Sequence, residues 1–302
     1  MSGPAGVSVA AARAPGGGAR EPERFRGELE LTVEPRHGRS VAGHQFHRGA
    51  LRVLRPLYLD PIGHPDATGQ VTYVVVNPGG AYLDGDRYRI QVTLAPAAQL
   101  LLTGQAATKI YRTPRTGATQ TLTARLAAGS RFEYLPDQLI AYRGARYRQD
   151  TRVEMDPSAS LVLADVVTPG WSPGGEPFRY DALRLRTAVT MEGRSVVVDN
   201  LQLAHGDGDT DPTAPGLLEG RTHVGTLLVV DPRITADDVD AARAQLARRP
   251  ELLGGATTLA VPGLALRVLG DSTGAVTAAI HAVVDGLRAA WYGQGPVDLR
   301  KY

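Results

Sequence analysis

From Gly27 to about Asp231 the chain is built from short segments in which apolar and polar positions alternate, or in which β-branched residues dominate. Residues 28–34 (ELELTVE) and 87–96 (RYRIQVTLAP) show the two-residue period of a half-buried strand. Similar segments occupy 71–77, 119–127, 130–136, 138–143, 161–167, 183–192 and 194–200. Glycine-rich turns separate them, and no fixed repeat period is visible. The pattern predicts a mainly β body of many antiparallel or stacked strands, arranged as a sandwich, a barrel or a solenoid-like stack.

The pattern changes near the C-terminus. Residues 221–231 have the composition of one more strand, and 257–270 indicate two short strands joined at Pro262-Gly263. Residues 235–249 predict a helix that begins at an N-cap threonine and carries aspartates in its first turn. Residues 273–293 predict a second helix with an apolar face. We expect both helices to pack on the β body.

These patterns suggest one folded domain with an extended N-terminus. Residues 1–24 are rich in alanine, glycine and proline and predict a disordered tail. Residues 25–302 are expected to form a single domain, with a β body at 25–231 and a helix-strand-strand-helix tail at 232–302. Residues 206–220 predict a surface loop. No segment resembles a signal peptide or a membrane span, so we expect a cytoplasmic protein.

Composition narrows the classes of chemistry. The 302 residues contain no cysteine, which excludes disulfides, thiol nucleophiles and thiolate metal sites. The formal net charge is only +2, and no basic cluster with interleaved aromatic residues indicates nucleic-acid binding. Of the 33 basic residues, only Lys109 and Lys301 are lysines, so the single lysine in the body of the chain stands out.

Short motifs that match enzymes fail on physical grounds. GWSPG (170–174) has the G-x-S-x-G form of a hydrolase nucleophile elbow, but Pro173 lacks the backbone N–H that the oxyanion hole needs. DGDTD (207–211) resembles the start of a calcium-binding loop, yet Pro212 occupies the position that requires glycine. No phosphate-binding loop is present, so the chain is not expected to hydrolyse a nucleotide.

Lys109 lies in QAATKIYR (105–112), a strand-turn context with the small residues Ala106 and Ala107. A lysine can act as a Schiff-base or general-base group, but the neighbouring sequence supplies no partner for such chemistry. We favour an ammonium group that faces the surface or a partner protein.

Four stretches, taken in order, resemble the UreD family of urease accessory proteins, also called UreH. They are NPGGAYLDGDRYRI (77–90), LLLTGQAATKIYR (100–112), FEYLPDQLIAYRGARY (132–147) and LADVVTPGWSPGGEPFRYD (163–181). The resemblance is close over residues 25–205 and weaker beyond them. Trp171 stands where many members carry arginine, so no arginine-based role carries over to that position.

The resemblance implies a non-enzymatic scaffold that helps to build the nickel centre of urease. It implies UreF-type and UreG-type (GTPase) accessory proteins and the urease apoprotein as partners, without nucleic acid or membrane. It also implies no tightly bound cofactor, with transient Ni²⁺ transfer through a channel in the body.

The matching motifs supply six candidate residues for the metal route or for partner binding: Gln105, Thr108, Lys109, Asp86, Asp165 and Glu176. Asp165 and Glu176 are expected to line or gate the route as oxygen ligands, and Lys109 to hold a nearby or partner carboxylate. Purely structural roles remain as alternatives for three of these residues. In these alternatives Asp86 caps a turn, Glu176 accepts hydrogen bonds from loop amides, and Lys109 forms a surface ion pair.

Two other functions remain alternatives. Asp165 and Glu176 could form the carboxylate pair of a β-sandwich hydrolase, as in glycosidases. A non-catalytic β module that binds a sugar or a peptide would instead present an exposed aromatic platform, which an aromatic content of 6% does not favour.

Overall fold

A computed structural model describes residues 25–59, 69–204 and 211–299. The predicted disordered tail at 1–24 and part of the predicted loop at 206–220 lie outside the described residues. Two helices form within the described ranges, α1 (Ala236–Ala247) and α2 (Thr273–Tyr292).

The remaining elements are strands. In chain order they are β1 (Gly27–Arg36), β2 (Arg39–Gly49), β3 (Arg52–Val53), β4 (Val71–Val76), β5 (Arg87–Leu94), β6 (Gln99–Gly104), β7 (Thr108–Ile110), β8 (Ala118–Leu126), β9 (Arg131–Tyr134), β10 (Leu139–Ala141), β11 (Arg146–Met155), β12 (Ser160–Val167), β13 (Ala182–Met191), β14 (Arg194–Ala204), β15 (His223–Val230), β16 (Leu253–Thr258) and β17 (Gly263–Gly270). The mainly β class with two C-terminal helices is therefore confirmed.

The strands form two sheets. Sheet A has the order β14-β13-β11-β8-β5-β1-β2, and sheet B has the order β16-β17-β15-β12-β9-β6-β4-β3. Between β4 and β13 the chain passes repeatedly from one sheet to the other, so strands that are neighbours in a sheet are not consecutive in sequence. The result is a stacked coil that resembles a solenoid.

The pairing corrects one expectation. In sheet A, β1, β5, β8, β11 and β13 pair in parallel, and in sheet B the same holds for β4, β6, β9 and β12. Antiparallel pairs flank this parallel part, as in β1–β2 and β13–β14 of sheet A and from β12 through β15 and β17 to β16 in sheet B. The sequence pattern reports which face of a strand is buried but not the direction of its neighbour, so it could not distinguish these arrangements.

The coil also has a repeat of roughly thirty residues, which the sequence analysis missed. The parallel strands of sheet A begin at Arg87, Ala118, Arg146 and Ala182. Because the equivalent positions carry different side chains, the repeat is one of backbone geometry and not of sequence.

Two hydrophobic cores hold the layers together. The larger core lies between the sheets, and the smaller lies between sheet B and the helices. Strand β12 contributes to both, since Leu163 faces the first core whereas Val162 and Val166 face the second. A strand buried on both faces explains the nearly continuous apolar run at 161–167.

The C-terminal elements pack on the β body as predicted. Strand β17 extends sheet B by antiparallel pairing with β15, and the helix α2 lies against the same sheet. Gly225 allows this close approach, because a Cβ atom there would lie 2.6 Å from Val276 and 2.8 Å from Ile280. Thr235 caps α1 through a capping box with Asp238, as the sequence suggested.

A buried ionic cluster joins sheet B to α2. The Glu133 carboxylate on β9 accepts hydrogen bonds from Arg131, on the same strand, and from Arg288, on α2. All three side chains are buried. Gln70 donates to the same carboxylate over 3.1 Å, and the ring of Tyr292 lies 3.7 Å from the Arg131 guanidinium. The glutamate is therefore the common partner of two buried cations.

We predict that Glu133→Gln lowers the free energy of unfolding by about 3 kcal/mol, because it removes the charge of the carboxylate that the two buried guanidinium groups share. Urea denaturation of the purified protein measures this. The matched control is Glu154→Gln, which removes an exposed pair with Arg125 at 3.7 Å and should cost less than about 1 kcal/mol. Equal losses in the two variants would contradict the assigned role.

Candidate functional site

Polar side chains form a row through the largely apolar space between the sheets. We call this set the polar row: Tyr82, Gln120, Tyr134, Tyr147, Gln149 and Asp165. The register of sheet A places Gln120 on β8 directly beside Gln149 on β11. Both glutamines occupy inward positions of alternating strands, and both are buried.

Hydrogen bonds link the members of the row. The Tyr82 hydroxyl donates to Oε1 of Gln120 over 2.5 Å, and the Tyr134 side chain also bonds Gln120. Further along, the Tyr147 hydroxyl donates to Oε1 of Gln149 over 3.1 Å. Nε2 of Gln149 then donates to Oδ1 of Asp165 over 3.0 Å, across the space between the sheets. These bonds offset much of the cost of burying polar groups.

Asp165 is the carboxylate of the row, on β12 of sheet B. Enclosure between the sheets raises its pKa to about 6, since burial disfavours the charged form. The Gln149 hydrogen bond opposes this shift, and the negative charge of Asp199 adds to it. A carboxyl group with this pKa can exchange a proton or a cation near neutral pH.

A small cavity and an open groove lie beyond Asp165. The cavity measures about 20 Å³, which is room for about one water molecule, and its lining includes Asp165, Thr187, Asp199 and Thr226. Asp199 also borders a groove of about 510 Å³ between β14 and the strands β15 to β17. Its Oδ1 accepts a hydrogen bond from Nη2 of Arg267 over 2.7 Å, so an ion pair stands at this end of the row.

Three of the residues predicted from the sequence lie together at the end of the polar row opposite Asp165. Gln105, Thr108 and Lys109 line a cavity of about 180 Å³. Tyr82, Gln120 and Tyr134 of the polar row line the same cavity, so it opens onto the row. The Lys109 ammonium forms no hydrogen bond or ion pair with another described residue. It is therefore available to a group from outside the described part of the chain.

Asp86 closes the turn before β5 and also touches the aromatic residues beside the row. Its Oδ2 accepts from the backbone N–H of Leu83 over 2.9 Å and from the hydroxyl of Tyr88 over 3.3 Å. Burial and this negative charge raise the pKa of Tyr88 to about 12. The Tyr88 ring in turn stacks on Tyr82, with 3.8 Å between ring centroids.

Glu176 lies in a different place. It is exposed in the surface loop between β12 and β13, where its carboxylate accepts a hydrogen bond from Oγ of Ser172 over 2.8 Å. That bond lowers the pKa of Glu176. Among the described residues, no hydrogen bond and no cavity joins Glu176 to Asp165. The arrangement lacks the open cleft between two carboxyl groups that glycosidase chemistry requires.

Residues 25–59, 69–204 and 211–299 contain no group of three or more His, Asp or Glu side chains placed to hold a metal ion. No helix in the same ranges has the length and apolar content needed to cross a bilayer.

The described residues thus define a stacked β scaffold with a hydrogen-bonded polar row through its core. The comparisons with known proteins define it further. A family model described as UreD urease accessory protein matches residues 25–301, and the chain belongs to this family.

Curated relatives agree with the family match. A urease accessory protein UreD of Paenarthrobacter aurescens strain TC1 is 48% identical over 92% of this chain and 95% of the relative. That of Actinomyces naeslundii is also 48% identical, over 91% of this chain and 98% of the relative. A more distant one, from Lachnoclostridium phytofermentans, is 36% identical over 92% and 99% respectively. The chain therefore has a role in urease maturation.

Gln120, Gln149 and Asp199 were not predicted from the sequence motifs. Each is a polar residue at an inward position of a strand, which is the signal that could have revealed them. Strand β11 itself was not predicted, because its inward positions include Gln149 and Thr151 and its alternation is weak.

We predict that Asp165→Asn removes a pH-dependent loss of stability. The folded-state pKa of about 6 exceeds the ordinary value of 3.8, so protonated Asp165 stabilises the fold below pH 4, and this contribution disappears as the pH rises through 6. Relative to wild type, the variant should gain on the order of 2 kcal/mol between pH 4 and pH 7. Urea denaturation at several pH values measures the difference.

The control is Asp156→Asn at an exposed turn. Ser158 lowers the pKa of Asp156, so its contribution is present above pH 4 and lost as the pH falls below it. This variant should be less stable than wild type at neutral pH, which is the opposite sign. A stability difference for Asp165→Asn that does not change with pH would contradict the assignment.

Proposed function

We propose that this chain is a non-enzymatic, cytoplasmic scaffold through which Ni²⁺ reaches the urease active centre, working in complex with UreF-type and UreG-type accessory proteins and the urease apoprotein. The polar row carries this proposal. It provides oxygen and amide groups through an interior that is otherwise apolar, with a cavity at one end and a groove at the other.

The chemistry of the row suits passage of a cation more than its storage. Its members supply carboxylate, amide and hydroxyl oxygens, whereas Ni²⁺ is held most firmly by nitrogen and sulfur ligands. The described residues contain no cluster of ligands that would trap the ion. Asp165 supplies negative charge that is easily neutralised by a proton, so it can attract a cation and release it again.

The two ends of the row suggest how partners attach. Lys109 presents an ammonium group at the mouth of the larger cavity, where a partner carboxylate could bind it. The Asp199–Arg267 pair stands at the groove, where a passing cation would compete with the guanidinium for the carboxylate.

We predict that cells lacking this chain produce urease with little nickel and little activity, and that Gln149→Leu restores urease only partly. Leucine is close in size but removes the bond to Asp165. Nickel content of purified urease, by elemental analysis, should fall several-fold, whereas co-purification with the accessory partners should persist. The control is Gln91→Leu on the outer face of β5.

Two results would count against the proposal. Normal nickel loading in cells without the chain would end it, as would failure of the chain to co-purify with accessory proteins or apo-urease. Equal nickel loading by Gln149→Leu and Gln91→Leu would reject the route through the polar row and leave the scaffold role standing.

We predict that Lys109→Ala weakens partner binding by about tenfold and that Lys109→Arg retains most of it, because arginine keeps the positive charge at the cavity mouth. Binding to purified partner proteins, measured at low and high salt, tests this. The matched control is Arg194→Ala, an exposed cation at the β13–β14 turn. If neither Lys109 variant differs from the control, Lys109 has no partner carboxylate.

A further inference from the structure

Four outward side chains form an apolar ladder along one face of the coil: Leu83, Tyr111, Tyr142 and Trp171. Three of them are exposed to an extent unusual for large apolar residues, at 49% for Leu83, 42% for Tyr111 and 50% for Trp171. Tyr142 is half-buried between its two aromatic neighbours. An exposed row of this kind is a recognised sign of a binding surface.

The backbone of the coil builds the ladder. Ile110 pairs with Tyr82 on one side and with Ala141 on the other, and all three side chains point inward. The next residue of each segment therefore points outward, which aligns Leu83, Tyr111 and Tyr142. Trp171 continues the row, because it pairs with Tyr142.

Gly170 fixes the position of the tryptophan. Its φ of +84° lies in the region that favours glycine, and a Cβ atom there would lie 2.3 Å from the carbonyl oxygen of Ala141. The close approach lets Trp171 donate its backbone N–H to that oxygen over 2.9 Å. Its ring then lies 4.9 Å from Tyr142, and Tyr142 lies 4.8 Å from Tyr111.

Arginines surround the ladder without matching carboxylates. Arg112, Arg143 and Arg179 are exposed, and none has a carboxylate within 4 Å among the described residues. Glu176 attracts Arg143 and Arg179 from a distance, but its hydrogen bond goes to Ser172. The face therefore carries a surplus of positive charge beside its aromatic groups.

The face continues toward the larger cavity. Lys109 lines that cavity and lies two residues before Tyr111, and residues two apart in a strand point to the same side. A partner that covers the ladder can therefore also reach the ammonium group of Lys109.

We propose that the ladder and its arginines bind an acidic segment of a protein partner that carries apolar side chains. This inference rests on the proposed scaffold function and names the surface that serves it. Buried aromatic contacts supply affinity at the centre of such interfaces, and guanidinium–carboxylate pairs at the rim supply orientation and association rate.

The ring geometry argues against nucleic acid and favours a protein. Single-stranded bases stack on free aromatic faces, but here neighbouring rings already contact one another, in an edge arrangement at 67° for Tyr111 and Tyr142. The rings of Tyr142 and Trp171 are tilted at 38°, so the ladder offers a ridge of rings packed on one another, which suits side chains of a folded partner. The sugar-binding alternative also requires an aromatic platform, so it becomes an outcome of the test.

The experiment compares two variants of the full chain. Tyr111→Ala/Trp171→Ala removes the exposed rings, and Arg112→Glu/Arg143→Glu reverses the charge while leaving the rings in place. Purified urease apoprotein and UreF-type protein serve as separate probes in a surface-binding assay at about 50 and 300 mM salt. The matched controls are Phe46→Ala and Arg194→Glu, an exposed aromatic and an exposed cation away from the ladder.

We expect both double variants to bind one of the two proteins at least about tenfold more weakly than wild type, with the effect of charge reversal shrinking at high salt. Thermal unfolding should show that all variants remain folded, because the altered side chains are exposed.

Binding by both double variants within about twofold of wild type would overturn the inference and leave the scaffold role intact. Oligo-uridine and cellohexaose serve as further probes in the same assay, and variants that lose binding to either of these while binding both proteins normally would overturn the inference as well. If the wild-type chain binds neither protein, the proposed function itself is contradicted.

Discussion

The regular passage of the chain between two sheets is the constraint on which the rest of the structure depends. Because β5, β8, β11 and β13 stack in parallel in sheet A, as do β4, β6, β9 and β12 in sheet B, equivalent positions of successive coils lie one strand apart. Inward positions therefore form rows through the core, and outward positions form ladders on the surface. Both the polar row and the apolar ladder follow from this single arrangement, although the side chains within each are far apart in sequence.

Polar groups enter this core under two different conditions. In the polar row, amides and hydroxyls bond one another, and the one carboxyl group, Asp165, lies beside cavities and has a raised pKa. Around Glu133, two guanidinium groups neutralise a carboxylate under a helix, and the ions are closely enclosed. The polar row leaves room for exchange of a proton or a cation at Asp165. The Glu133 cluster instead fixes α2 on the sheet, because separating those charges inside the protein is costly.

Much of this could be predicted from the sequence, and the failures have physical causes. Alternation and capping predicted most of the strands, though not β11, and both helices, and motif resemblance gave the family and the cavity residues Gln105, Thr108 and Lys109. The parallel direction of the strands within the coil was not predicted, because parallel and antiparallel neighbours bury the same face of a strand. Gln120 and Gln149 lie well apart in sequence and become neighbours only through the register of β8 and β11, which no single-strand pattern contains. Likewise, composition alone argued against an aromatic platform, yet the coil places two exposed rings, Tyr111 and Trp171, on either side of the half-buried ring of Tyr142.

Strand β12 has a consequence that reaches beyond the core. Asp165 faces the polar row, while the residues on either side of it, Ala164 and Val166, pack against the helical layer. Single-residue alternation along β12 thus sets a polar interior group and an apolar seat for the helices back to back on one strand. A substitution that shifts this stretch of backbone is therefore expected to disturb both layers at once, even when the altered side chain faces only one of them.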